Sequence, residues 1–92
     1  MNERIEAVVS GRVQLVMYRD FACRKARALK LVGEVKNLTD GTVSVIAEGS
    51  RDVLRAYIEK LRGGSILASV ESVSVSWFPA TGEYKSFDIV YE

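Results

Sequence analysis

The sequence contains no histidine, a single cysteine and a single proline. Without histidine there is no Ser-His-Asp triad, no phosphohistidine intermediate and no His-ligated zinc site. One cysteine permits neither an internal disulfide nor a CxxC redox pair. No apolar run approaches the roughly 20 residues that a membrane-spanning helix requires. The opening Met1-Asn2-Glu3-Arg4 carries no signal-peptide pattern. These absences lead to the expectation of a cytoplasmic monomer with no membrane partner. A chain of 92 residues, 48% hydrophobic and 27% charged with a net charge of +1, is too apolar for disorder. It reads as one small domain over 1–92, whose stability must rest on well-paired secondary structure.

The near-neutral total hides an asymmetry. Residues 12–36 hold seven basic groups against two acidic ones, a balance of +5, while the remainder holds six basic and ten acidic, a balance of −4. One third of the chain therefore attracts anions. Arg24, Lys25, Arg27 and Lys30 are what any exposed amphipathic helix face carries, so the asymmetry alone does not define a site.

Ile5, Ala7 and Val9 alternate with polar neighbours and predict a strand over about 4–12. Ala22, Ala26 and Leu29, with Phe21, recur at helical spacing and predict a helix over 20–30. Val32 to Leu38 and Thr42 to Glu48 read as strands joined at Thr39-Asp40-Gly41, a turn whose Asp-Gly supplies positive φ. Ser50 is placed as the N-cap of a second helix with Val53, Leu54, Tyr57, Ile58 and Leu61 as its apolar stripe, closed by Gly63-Gly64. Serines alternating with Val73, Val75 and Trp77 predict a strand over 72–77, and Phe87, Ile89 and Tyr91 a last short one. The order β-α-β-β-α-β plus a terminal strand predicts a ferredoxin-like α/β sandwich, an α+β fold with an antiparallel sheet and both helices on one face. That architecture hosts enzymes, RNA binders and metal chaperones, so it does not specify a function.

Two segments carry candidate chemistry. Residues 10–19 join the first strand to the first helix, where successive N–H groups and the helix dipole favour an anion. Arg19 opposes that dipole, which makes sense with an anion between it and the amides; the alternative is that it points into solvent or pairs with Asp20. Asn37 can orient a water molecule without titrating, although an asparagine just before a turn needs no function. Cys23 lacks the arginine that a C-x5-R phosphatase loop would place at position 29, which is Leu29, and reads as a helix residue. Trp77, in register with Val73 and Val75, reads as core rather than as a base-stacking platform, so no nucleic-acid partner is expected. The carboxylates form no evident metal cluster, and Asp40 reads as turn chemistry.

The run Gly11-Arg12-Val13-Gln14-Leu15-Val16-Met17-Tyr18-Arg19, followed by Gly33-Glu34-Val35-Lys36-Asn37 and Asp40-Gly41, resembles the acylphosphatase family, whose patterns are G-x-V-Q-G-V-x-[FY]-R and G-[WF]-V-x-N-x-x-[DN]-G. The resemblance continues through Ala47-Glu48-Gly49 and from Trp77 to Tyr91. It implies hydrolysis of small acylphosphates to carboxylate and phosphate without cofactor or metal. In that resemblance the loop Gln14, Leu15, Val16, Met17, Tyr18 and Arg19 binds the phosphate. Arg19 supplies the charge and Asn37 positions the attacking water. The chain departs from the family at Leu15, where the family has glycine. Leucine in a left-handed conformation costs roughly 1–2 kcal/mol and would narrow the cradle. The alternative is therefore a catalytically weakened domain that binds anions without efficient hydrolysis. Lys30 stands where the family closes the first helix with glycine, at a C′ position.

Overall fold

In a computed structural model that describes residues 2–65 and 67–91, the predicted alternation becomes a set of apolar rows across a sheet. The strands are β1 (Glu3–Arg12), β2 (Val32–Asn37), β3 (Val43–Gly49), β4 (Ser69–Pro79) and β5 (Phe87–Ile89), ordered β4-β1-β3-β2-β5. Helix α1 spans Tyr18–Ala28 and α2 spans Arg51–Gly63. Directly opposed residues share a sheet face, so the registers define rows: Trp77–Ile5–Ala47–Gly33, Val75–Ala7–Val45–Val35 and Val73–Val9–Val43–Asn37. The first two rows are wholly apolar or glycine. The third ends on an asparagine.

Both helices cover this face. Phe21, Ala22, Cys23 and Ala26 of α1 and Leu54, Tyr57, Ile58 and Leu61 of α2 are buried in one core with the rows. Two tyrosines stitch the helices together: Tyr18 donates its hydroxyl proton to the Leu61 carbonyl at 2.8 Å, and Tyr57 to the Ala22 carbonyl at 2.9 Å. Burial raises the pKa of both phenols, so they remain neutral donors.

Several boundaries differ from expectation. Helix α1 begins two residues before the expected start, because Met17, at φ 61°, ends the preceding loop and Tyr18 already turns inward. Strand β4 runs beyond 72–77 in both directions, since its pairing with β1 continues past the strict serine–valine alternation. The β4-β1-β3-β2 portion is antiparallel as expected, but β5 joins β2 in parallel, making the whole sheet mixed. Tyr91 lies beyond β5 and is 73% exposed. Ser50 is the N-cap of α2, yet its side chain makes no capping bond. The end of α1 behaves as expected: Lys30 takes φ 59°, its N–H bonds Arg27 O at 3.0 Å, and Leu31 N–H bonds Ala26 O at 2.9 Å. These are the two bonds of a Schellman closure.

Glu48 is the one charged side chain among the described residues that is buried, at 3% exposure. It accepts bonds from the N–H groups of Thr81 and Gly82, both at 3.0 Å, from the Thr81 hydroxyl at 2.8 Å and from Arg4 at 3.1 Å. Burial alone would raise its pKa, but these donors outweigh it and hold the carboxyl at about 2, below its ordinary 4.5. A depressed carboxyl contributes stability above its unfolded pKa and loses it as the pH falls through the folded value. Denaturant midpoints measured against pH should therefore fall between pH 4.5 and about 2. Glu48→Gln should flatten that step and, by leaving the donors poorly answered, reduce stability near neutral pH by about 3 kcal/mol.

Candidate active site

The loop that follows β1 is shaped by backbone constraints. Pairing of β1 with β4 slips between Ser10 and Gly11. Gly11 takes φ 119°, and a Cβ there would lie 2.2 Å from Ser69 O. Only glycine fits this bulge, which turns the chain away from the sheet. Val13, 1% exposed, anchors the next residues in the core.

Leu15 and Met17 then each adopt φ 61°, while Gln14 and Val16 do not have positive φ. Alternating backbone hand curls successive N–H groups toward one concavity, the geometry of an anion nest. The amides of residues 14–20 find no hydrogen-bond acceptor among the described residues. The last of them belong to the first turn of α1, whose N–H groups have no intrahelical partners and carry the positive end of the dipole. Leu15 thus accepts the left-handed conformation that the family glycine implied. Its side chain is 98% exposed, so it stands at the mouth of the cradle and does not fill it.

Gln14 has a role that its place in the loop did not suggest. Its side-chain amide donates to Leu38 O and to Thr42 O, each at 2.8 Å. These carbonyls flank the β2–β3 turn, closed by Leu38 N–H to Thr42 O at 2.9 Å and by the Asp40 carboxylate accepting from Thr42 N–H at 3.0 Å. The side chain of Gln14 therefore faces the hairpin, not an anion, and fastens the loop beside Asn37. Asp40 serves the turn, as expected.

A cleft of about 270 Å³ lies between these segments, with Leu15, Met17, Arg19, Asn37, Ile89 and Tyr91 in its lining. Arg19 is half-buried, and its guanidinium carbon lies 5.0 Å from the centre of the Tyr91 ring, a cation–π arrangement that orients the fork. Asp20, its candidate partner, is bound instead by Arg24 Nε at 2.8 Å. Arg19 has no carboxylate partner among the described residues. Asn37 ends the row Val73–Val9–Val43, so its side chain is directed to the core face. Its Oδ1 is buried without a hydrogen-bond partner. An orphaned buried acceptor costs roughly 1–3 kcal/mol, and this one borders the cleft.

Of the expected loop residues, Leu15, Met17, Tyr18 and Arg19 line the cleft together with Asn37, while Gln14 braces it and Val16 faces a neighbouring groove. Ile89 and Tyr91 are additions to the site. The apolar pattern at 87, 89 and 91 marked them as strand residues, but only the parallel pairing of β5 with β2 brings them to Asn37. No group of three or more His, Cys, Asp or Glu among the described residues is placed to hold a metal ion, and no helix is long and apolar enough to cross a membrane.

The acylphosphatase family profile matches residues 5–89. The acylphosphatase of Dehalococcoides mccartyi (strain 195) is 46% identical over 88 residues, covering 95% of this chain and 97% of that protein. The acylphosphatase of Thermus thermophilus is 47% identical over 79 residues, covering 86% and 90%. The crystal structure of acylphosphatase from Bacillus subtilis superposes with a TM-score of 0.93 at 36% identity, over 97% of this chain and 99% of that one.

Two substitutions separate bracing from strain. Gln14→Ala should lower the unfolding free energy by about 1–2 kcal/mol through loss of both bonds to the hairpin. Leu15→Gly should leave it unchanged or raise it by up to about 1 kcal/mol, as relief of the left-handed strain offsets the greater chain entropy of glycine. Urea titration of the two variants beside the parent checks both signs.

Proposed function

We propose, from the premise that this chain belongs to the acylphosphatase family, that it hydrolyses the carboxyl–phosphate bond of small acylphosphates, with Arg19 and the amides of the 14–19 loop binding the phosphate and Asn37 orienting the attacking water. The observation that carries the assignment is the meeting, at one cleft, of uncommitted amides, an arginine without a carboxylate and a buried amide oxygen without a donor.

The chemistry needs little else. The phosphoryl group enters with negative charge on its oxygens. The curled amides and the planar guanidinium answer that charge, the fork reaching two oxygens at once. The Asn37 side-chain amide, at the border of the cleft, holds the water so that a lone pair of the water oxygen faces phosphorus. As the O–P bond forms, the bridging P–O bond breaks and its electron pair leaves on the carboxylate. A carboxylate is a good leaving group and requires no general acid. The proton lost by the water passes to a phosphate oxygen of the substrate itself, so the lack of histidine is no obstacle. Catalysis then consists of positioning and of stabilising charge as it shifts among the phosphoryl oxygens.

Replacing Arg19 or Asn37 by alanine should each reduce kcat/KM for acetyl phosphate by about two to three decades. The two should separate in their response to product. Arg19→Ala should also weaken inhibition by inorganic phosphate, whereas Asn37→Ala should leave that inhibition near its parental level, since the asparagine addresses the water. Turnover surviving both substitutions in a folded protein would remove the site assignment.

A further inference from the structure

Beside the phosphate cradle lies a second concavity of about 380 Å³, lined by Val16, Met17, Phe21, Ser65 and Leu67, with Arg24 and Lys25 at its polar side. It shares Met17 with the cleft of Arg19 and Asn37. We infer that this groove receives the organic part of the substrate, and that its lining makes the enzyme selective for acylphosphates with extended apolar acyl groups.

The inference rests on the acylphosphate reading above and on four observations. First, the cradle grips only the phosphoryl end, so the acyl group lies outside it, and Met17 lines both the cleft and the groove. Second, the rim of the cradle is anomalously apolar. Leu15 is 98% exposed, Met17 69% and Leu67 63%, and Leu15 and Met17 both hold left-handed backbone to be there. Exposed apolar side chains clustered at a cleft mouth mark a surface that is covered in use. Third, the charges bordering the groove are already engaged. Arg24 Nε holds Asp20 at 2.8 Å, and Lys25 Nζ lies 5.8 Å from the centre of the Phe21 ring. Of the two cations only Lys25 lacks a carboxylate among the described residues, and its ammonium stands over an aromatic ring. Fourth, the Ser65 hydroxyl oxygen is itself buried, so the wall that Ser65 contributes presents no hydroxyl to the occupant.

The test is a chain-length series of acetyl, butyryl and hexanoyl phosphate. Their leaving carboxylates are nearly equally basic, so the series varies burial and not chemistry. In the parent protein kcat/KM should rise by about 2- to 4-fold per methylene. Leu67→Ser should leave acetyl phosphate hydrolysis unchanged and reduce the hexanoyl-to-acetyl ratio by about 3- to 10-fold, while Leu67→Met should restore it. A flat series in the parent, or a slope untouched by Leu67→Ser, overturns the inference. Calorimetric binding of methyl-, butyl- and hexylphosphonate to the parent protein keeps the two readings apart. Absence of turnover with every acylphosphate would refute the hydrolase reading. Phosphonate affinity that fails to grow with chain length would refute the groove by itself.

Discussion

The site depends on one side-chain amide. Gln14 belongs to the loop that leaves the first strand, yet both its hydrogen bonds end on carbonyls at the turn between β2 and β3. Remove that bridge and the anion-facing loop and the asparagine strand are two separate features of a common fold. With it, they share one cleft. The chemistry of the group suits the task. A carboxamide offers two N–H donors, and here both go to backbone acceptors at the same distance, so the loop is fixed in position and orientation together. A lysine could reach the carbonyls but would add a charge competing for the anion; a serine would be too short.

The remainder of the site consists of groups denied ordinary partners. The amides of the loop have none because alternating backbone hand turns them away from any strand or helix ladder. Asn37 has none for its oxygen because it occupies a place that the sheet otherwise gives to valine. Arg19 has no carboxylate partner among the described residues, Asp20 being taken by Arg24. Each is a local loss of stability, and all three border one small space. Elsewhere among the described residues the Ser65 hydroxyl is the one other buried side-chain polar group without a partner, and even the buried Glu48 has its four donors. This gathering of unsatisfied groups at one cleft is what marks it as the candidate site.

Much of the scaffold was legible in the chain because its signals are local. Ile5, Ala7 and Val9 alternate against polar neighbours, and Val43, Val45 and Ala47 do the same; all are buried as the alternation implies. The Asp-Gly turn announces itself by backbone demand, whereas the closing position of Lys30 was given by the family resemblance. The site was legible in a different way. Residue chemistry left Arg19 and Asn37 each with an ordinary explanation, and the family resemblance selected them. What neither approach disclosed was relational: the acceptors of Gln14 are distant carbonyls that any residue carries. Likewise, the aromatic wall at Tyr91 exists only because β5 runs parallel to β2, and no local pattern encodes strand direction. The buried carboxylate of Glu48 was hidden for the same reason, since three of its donors come from a loop more than thirty positions away and the fourth from Arg4 on β1, and a glutamate at a strand end gives no hint of burial.

The strand order also governs how the molecule assembles. The first strand lies between β3 and β4, and its opening residue faces Gly49 on one side and Pro79 on the other. Closing such long loops must precede the contacts that reward them, so relative contact order is high and folding falls in the milliseconds-to-seconds class rather than the microsecond one. During synthesis β1 stays unpaired on one edge until β4 has emerged. The charges of Arg4 and Glu6 on its outer face, beside Val8 and Ser10, help keep that waiting strand from finding another copy of itself first.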